Sequence, residues 1–157
     1  MEYARIVLTC IAVAVVYGII HDEFTAHICV EYFTIAHPRI IESTSPTVLG
    51  IVWGICATWW IALLMGLILS FVARHGNAPK VGTQFIFFRI LGLFLVAALC
   101  AIFSGTVAYF LASNHLITLS DPAILPEKHA AFLSVWAAHL ASYCVSIICG
   151  MLLILNI

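Results

Sequence analysis

Four long stretches of this chain carry almost no polar punctuation, and one short stretch carries much of what there is. Ile6 to Ile20 is an uncharged apolar run, which with Tyr3 and Ala4 just reaches the ~17 to 20 residues that a membrane-crossing helix needs. Thr47 to Ala73 is a second uncharged run and Ile90 to Asn114 a third. A fourth extends from Pro126 or Ala130 to Ile157, interrupted only by His139. The pattern predicts an all-α membrane protein, a four-helix transmembrane bundle forming one domain over residues 1–157. Its spans are expected at 3–21, 46–74, 84–113 and 127–157, with an outer-face polar segment at 22–45 between the first two.

Local signals sharpen two of these boundaries. Ser45 can cap a helix whose first position is Pro46, where the missing N–H costs nothing. The same helix meets a stop at Arg74-His75-Gly76-Asn77-Ala78-Pro79, with Gly and Pro in their usual places. A cleaved secretory signal competes for the first run. The start is only weakly basic and no small-x-small site precedes His21, so a retained first helix is the expectation.

Composition agrees with this class and removes others. With 64% hydrophobic and 8% charged residues and a mean hydropathy of +1.17, the chain lies far outside soluble globular usage. A net charge of −1 with scattered bases gives no footprint for nucleic acid. Cys10, Cys56, Cys100, Cys144 and Cys149 sit inside apolar runs and no C-x-x-C occurs, so they read as small buried hydrophobes; Cys29 alone lies among polar residues.

The charges are few but sorted. Arg74, Lys80 and Arg89 flank the connection between the second and third spans, and Arg5 lies near the N-terminus; by the positive-inside tendency both regions are expected on the cytoplasmic side of the inner (plasma) membrane, with both termini there. The other two connections hold Asp22, Glu23, Glu31, Glu42, Asp121 and Glu127 against Arg39 and Lys128, and are expected outside.

Small residues recur every fourth position at Gly50, Gly54, Thr58, Ala62, Gly66 and Ser70, and again at Ala130, Ser134, Ala138, Ser142, Ser146 and Gly150, with a shorter series at Ala97, Ala101 and Gly105. In lipid, where apolar surface gains little by leaving solvent, such rows let backbones approach and drive helix association. They predict tight packing within the chain, and a membrane-protein partner or homo-oligomer beyond it.

The polar segment itself, His21 to Pro38, packs three histidines and three acids into HDEFTAHICVEYFTIAHP. As a helix, it would set Glu23, His27 and Glu31 on one face and Phe24, Ile28 and Ile35 on another, an amphipathic helix on the membrane surface. As a strand over Ile28 to Ala36, it would point Glu31 and His37 to one side. The first half leans to helix, and Pro38 disfavours a helical His37.

Imidazoles and carboxylates in one place are the donors of zinc, iron or manganese sites. The candidate ligands are His21, Asp22, Glu31 and His37, with His129 and His139 from the fourth span; few thiols or thioethers are available for Cu(I). Neither H-E-x-x-H nor paired E-x-x-H motifs occur, so the signal is one of clustering. A solvated outer loop whose charges mark the membrane boundary is the bland counterpart. His139, ten residues beyond His129, falls ~15 Å deeper, where polar groups are costly and face the bundle interior. It reads equally as a hydrogen-bonded core residue against Thr58 or Ser104 and as a ligand or proton relay. Haem would need a second axial ligand at the same depth. The expected arrangement is a polar pocket shared by His21, Asp22, Glu31 and His37, closed by the fourth span and opening toward the periplasm or outer leaflet, with His129 or His139 in reach of Glu31.

His21-Asp22, Thr25, Glu31-Tyr32-Phe33-Thr34 and His37-Pro38, followed by the stretch Gly50 to Trp60, resemble a group of bacterial multi-pass membrane proteins that share an HD-x-x-T…EYFT-x-x-HP arrangement and have no known activity. Its members often carry a base at the position of His27. The resemblance implies a four-helix membrane topology and no particular chemistry. Two classes of function therefore stay open, and with them whether the chain is an enzyme: metal-dependent hydrolytic or redox chemistry at a His/carboxylate site on the extracytoplasmic face, or a non-catalytic accessory subunit, carrier or pH-responsive component of the bilayer.

Overall fold

The computed structural model describes residues 1–76 and 79–157, so Asn77 and Ala78 of the expected helix stop lie outside the described residues. The chain is all-helical: α1 (Glu2–Ile28), α2 (Val30–Ile35), α3 (Pro46–Arg74), α4 (Thr83–Ser113) and α5 (His129–Leu155), the last entered through a 3-10 turn at Pro126–Lys128. Four of these helices are long and apolar enough to cross a membrane. No strand forms among the described residues, which removes the strand alternative for 28–36.

α3 starts at Pro46 with Ser45 as its cap, accepting from the Val48 amide at 3.5 Å. α1 departs most from the hydropathy pattern. It does not stop at residue 21 but runs for 27 residues, ~40 Å, because nothing between Ile20 and Cys29 breaks a helix. Thr25 Oγ1 turns back onto the carbonyls of His21 and Asp22 at 3.0 and 3.3 Å, satisfying its hydroxyl without leaving the helix. The segment from His21 to Ile28 is thus the last two turns of a spanning helix and not a separate surface helix. The break comes at Cys29, whose backbone is extended (φ −152°, ψ 93°), and α2 follows at once.

α1 packs along α3, and α4 along α5; the two pairs meet chiefly where α1 faces α4. Small residues govern both pairs. A Cβ added at Gly54 would lie 2.5 Å from the backbone of Ile19, one at Gly18 2.5 Å from the Gly54 carbonyl, and one at Gly50 2.9 Å from the backbone of Glu23. Across the other pair, a Cβ at Gly105 would lie 3.1 Å from the Ser134 carbonyl. Glu2 ties the starts of α1 and α4 together, its Oε1 accepting from the Thr83 amide at 3.1 Å and hydroxyl at 2.8 Å. Those two helices therefore begin at the same end of the bundle.

Two apolar clusters divide the interior. One gathers Ile6, Cys10, Leu69, Ala73, Ile86 and Ile90 near the end where α1 and α4 begin. The other lies at the far end, where Tyr32 and Phe33 of α2 lodge against Ala26, Leu49, Phe132 and Val135. α2 is thus a plug in the bundle mouth. Polar side chains of α1 and α5 occupy the level between the clusters.

Candidate metal centre

On α1 the buried positions Ile6, Cys10, Ala14, Gly18 and Asp22 recur every fourth residue. Such a row drifts ~40° around a helix at each step. At Gly18 it touches α3; at Asp22 the carboxylate reaches α5. There Val135, Ala138, His139 and Ser142 form the buried stripe, at helical spacing. Asp22 and His139 meet: Oδ1 stands 3.2 Å from Nε2, and the residues are 5% and 1% exposed. Burial this complete means that water does not dilute what passes between them.

The tautomer of His139 follows from its other nitrogen. Nδ1 lies 2.9 Å from the Val135 carbonyl; a carbonyl only accepts, so Nδ1 carries the hydrogen and donates. In the neutral ring Nε2 is then a bare lone pair, aimed at a carboxylate that also only accepts. Two acceptors 3.2 Å apart in a dry interior repel unless a proton or a metal cation stands between them. A backbone carbonyl holding Nδ1–H is also how ligand histidines are commonly oriented toward a metal.

His21 supplies the third group. Its ring meets that of His139 edge to face, with centroids 4.6 Å apart, and its Nε2 is a buried nitrogen with no hydrogen-bond partner. One ligand atom each from His21, Asp22 and His139 lies within 4.8 Å of the other two. Neighbouring donors on a tetrahedral zinc, at bonds of 2.0 to 2.1 Å, stand roughly 3.3 Å apart, so the Asp22–His139 edge already has the right length. Haem does not fit. His21 does reach the depth of His139, but the two rings are too close, and Asp22 too near, for a macrocycle to pass between them.

Aromatic and hydroxyl groups surround the three. Tyr32 lays its ring 4.5 Å from that of His139, and Phe33 sits 5.7 Å away, both from the plug. Burial, with the Asp22 carboxylate adding to it, pushes the Tyr32 phenol up to about 12, so it stays protonated. Tyr17, one turn below His21, stacks on Phe94 of α4 at 4.4 Å and shares a 2.7 Å hydrogen bond with Ser142. The partners expected for His139 are engaged elsewhere: Thr58 donates to the Gly54 carbonyl and Ser104 to that of Ala137.

The other sequence candidates stand outside the cluster, each with its own partner. Glu31 pairs with Lys128 at 3.3 Å and accepts from the Cys29 thiol at 3.3 Å. Burial pushes its carboxyl up, but its own backbone N–H, Cys29 and Lys128 together outweigh this and hold it below the usual value. His129 Nε2 donates to the Ile124 carbonyl at 2.8 Å. His37 donates from Nδ1 to the Tyr32 carbonyl at 2.9 Å and lies against Phe33 and Trp53; it reaches the His139 level only through Tyr32 and Phe33. His27 holds to its own helix turn, donating to the Glu23 carbonyl at 2.7 Å.

Compared with protein-family models, curated proteins and solved structures, the chain finds no match in any of the three.

Proposed function

We propose that this membrane protein holds a divalent metal between α1 and α5, with His21, Asp22 and His139 as ligands. The single observation that carries the reading is His139 Nε2 facing the buried Asp22 carboxylate at 3.2 Å, while Nδ1 is committed to the Val135 carbonyl and His21 Nε2 stands buried and unpartnered beside them. Two imidazoles and one carboxylate suit zinc or iron, and manganese less well for want of oxygen donors. Three protein ligands with a free position are the pattern of catalytic rather than structural sites. Held by these residues, zinc would supply Lewis-acid activation for hydrolytic chemistry, and iron or manganese a change of oxidation state for redox chemistry, on a lipid-soluble or extracytoplasmic substrate.

The orientation we propose places Arg5, Arg74, Lys80 and Arg89 at the cytoplasmic side of the inner membrane, with both termini. The plug α2 and the acidic connections then face the periplasm, and the centre lies below the plug. Glu31 and His37 act in holding the plug, and His129 in holding the connection that enters α5, rather than as ligands.

Metal analysis of the detergent-purified full chain tests the assignment. Wild type is expected to carry close to one zinc or iron per chain. Asp22→Asn and His139→Gln should each lower this at least tenfold, whereas Glu31→Gln and His129→Gln should retain it. A wild-type protein that stays metal-free after growth with zinc, iron and manganese would leave Asp22 and His139 as a proton-bridged structural pair. The accessory-subunit reading would then replace the catalytic one.

A further inference from the structure

Beside the plug, and separate from the buried centre, the connection after α2 encloses a cleft of about 290 Å³ against the first turns of α3. Its walls are of two kinds. Phe33, Leu49 and Trp53 form an apolar side, while Thr34, Arg39 and Glu42 supply hydroxyl and charge on the other. Leu49 and Trp53 belong to the first two turns of a helix that spans a membrane, so whatever fills the cleft lies at headgroup depth. Among the described residues, Arg39 and Glu42 make no ion pair and no side-chain hydrogen bond, although both line the same small cleft.

We infer that this cleft is a binding site for the headgroup of a zwitterionic phospholipid bearing a primary ammonium, of the phosphatidylethanolamine type. The Arg39 guanidinium offers its donor fork to the phosphate, as that group does for oxyanions generally. The Glu42 carboxylate accepts from the ammonium. The glycerol and first methylenes lie along Trp53, Ile40 and Ile41, over the buried Phe33 and Leu49, and the acyl chains continue into the bilayer. At 290 Å³ the cleft is at the small end for ligand sites, about 300 to 1,000 Å³, which suits a headgroup and excludes a whole lipid. A quaternary ammonium would instead want open aromatic faces. Here Phe33 is buried with His37 stacked on it, and Trp53, which His37 meets edge to face at 4.6 Å, is one ring where such a group wants a cage of several. An anionic headgroup would leave Glu42 facing like charge.

The inference does not depend on a metal, and thermal unfolding of the full chain in detergent tests it apart from metal analysis. Phosphatidylethanolamine added in mixed micelles is expected to raise the midpoint in a saturable way, and phosphatidylglycerol and phosphatidylcholine to raise it clearly less. Arg39→Gln and Glu42→Gln should each weaken the apparent Kd for phosphatidylethanolamine about tenfold, as loss of a charge-assisted hydrogen bond does. Both residues are exposed, so neither change removes core packing. As a second readout, mass spectrometry of wild-type protein purified from membranes should find phosphatidylethanolamine retained, and the variants should lose it. Equal shifts with all three lipids, or variants that keep the preference, would overturn the assignment. Stabilisation by water-soluble glycerophosphoethanolamine as strong as that by the lipid would overturn its lipid part and make the ligand a free zwitterion.

Discussion

α1 binds two of its neighbours, α3 and α5, by opposite means. Toward α3 it offers a seam in which backbone lies on backbone: the places where a Cβ at Gly18, Gly50 or Gly54 would sit are already filled by main chain of the partner helix or of α1 itself. Toward α5 it is linked by separate polar bridges at successive levels, Tyr17 to Ser142 and Asp22 to His139, and above them the plug is linked to the turn that enters α5, Glu31 to Lys128. A seam of glycines fixes the height and rotation of a helix because no side chain can yield. Polar bridges do not fix position so stiffly, but they place titratable atoms face to face. The difference teaches that the seam is the frame and the bridged side the instrument: the closeness of α1 to α3 is what brings His21 and Asp22 to the level of His139.

The seam should therefore be the costliest place to intervene. In Gly54→Leu the new Cβ falls 2.5 Å from both Cα and N of Ile19, and backbone cannot rotate away as a side chain can. We expect a loss of about 3 kcal/mol or more, the upper part of the overpacking range, seen as a large fall in the thermal midpoint in detergent. Gly92→Leu is the matched control, since no atom lies within 4 Å of its added Cβ, and it should leave the midpoint nearly unchanged. If both variants unfolded alike, or neither did, the frame would not be the α1–α3 seam.

A single bridge on the other side should cost less. Tyr17→Phe removes the 2.7 Å bond to buried Ser142 but leaves the ring stacked on Phe94. The serine hydroxyl can turn to a carbonyl of its own helix, so the expected loss is about 1 kcal/mol. Thermal unfolding of this variant beside Gly54→Leu compares the two sides directly. A loss as large as that of the glycine variant would mean that the polar side also carries the frame.

Much of this architecture was legible in the sequence. Four helices, the Ser45-Pro46 start and the small-residue rows of α3, α4 and α5 follow from hydropathy, capping and spacing, because each is a local property. The site was legible only in its parts. Hydropathy ended the first span at residue 21, where apolar residues run out, yet helix geometry depends on breakers, and none occurs before Cys29. The row Ile6, Cys10, Ala14, Gly18 and Asp22 carried the missing signal, as its spacing puts the aspartate on a buried face. Clustering along the chain also put Glu31 and His37 with His21 and Asp22, whereas among the described residues only His139 joins His21 and Asp22 in one group. Beyond the break at Cys29 the chain changes direction, so neighbours in sequence cease to share a face, and Lys128, far off in sequence, becomes the partner of Glu31.

That last bridge is the weakest of the three, and it gives the comparison a pH axis. The Glu31 carboxyl is held below its ordinary value of 4.5, with Lys128 one of the causes. A carboxylate whose value falls on folding contributes stability that is fully present above the unfolded value and is lost as pH falls through the lowered folded one. Lys128 is 42% exposed, so water and salt screen the pair and its worth is under about 1 kcal/mol. Lys128→Gln should accordingly lower the thermal midpoint slightly at pH 7, by less than Tyr17→Phe does. The gap from wild type should shrink as pH drops below 4.5 and close once Glu31 is protonated in both proteins; added salt at pH 7 should narrow it as well. A gap that widened on acidification would mean that Lys128 holds the plug through its aliphatic stem and not through its charge.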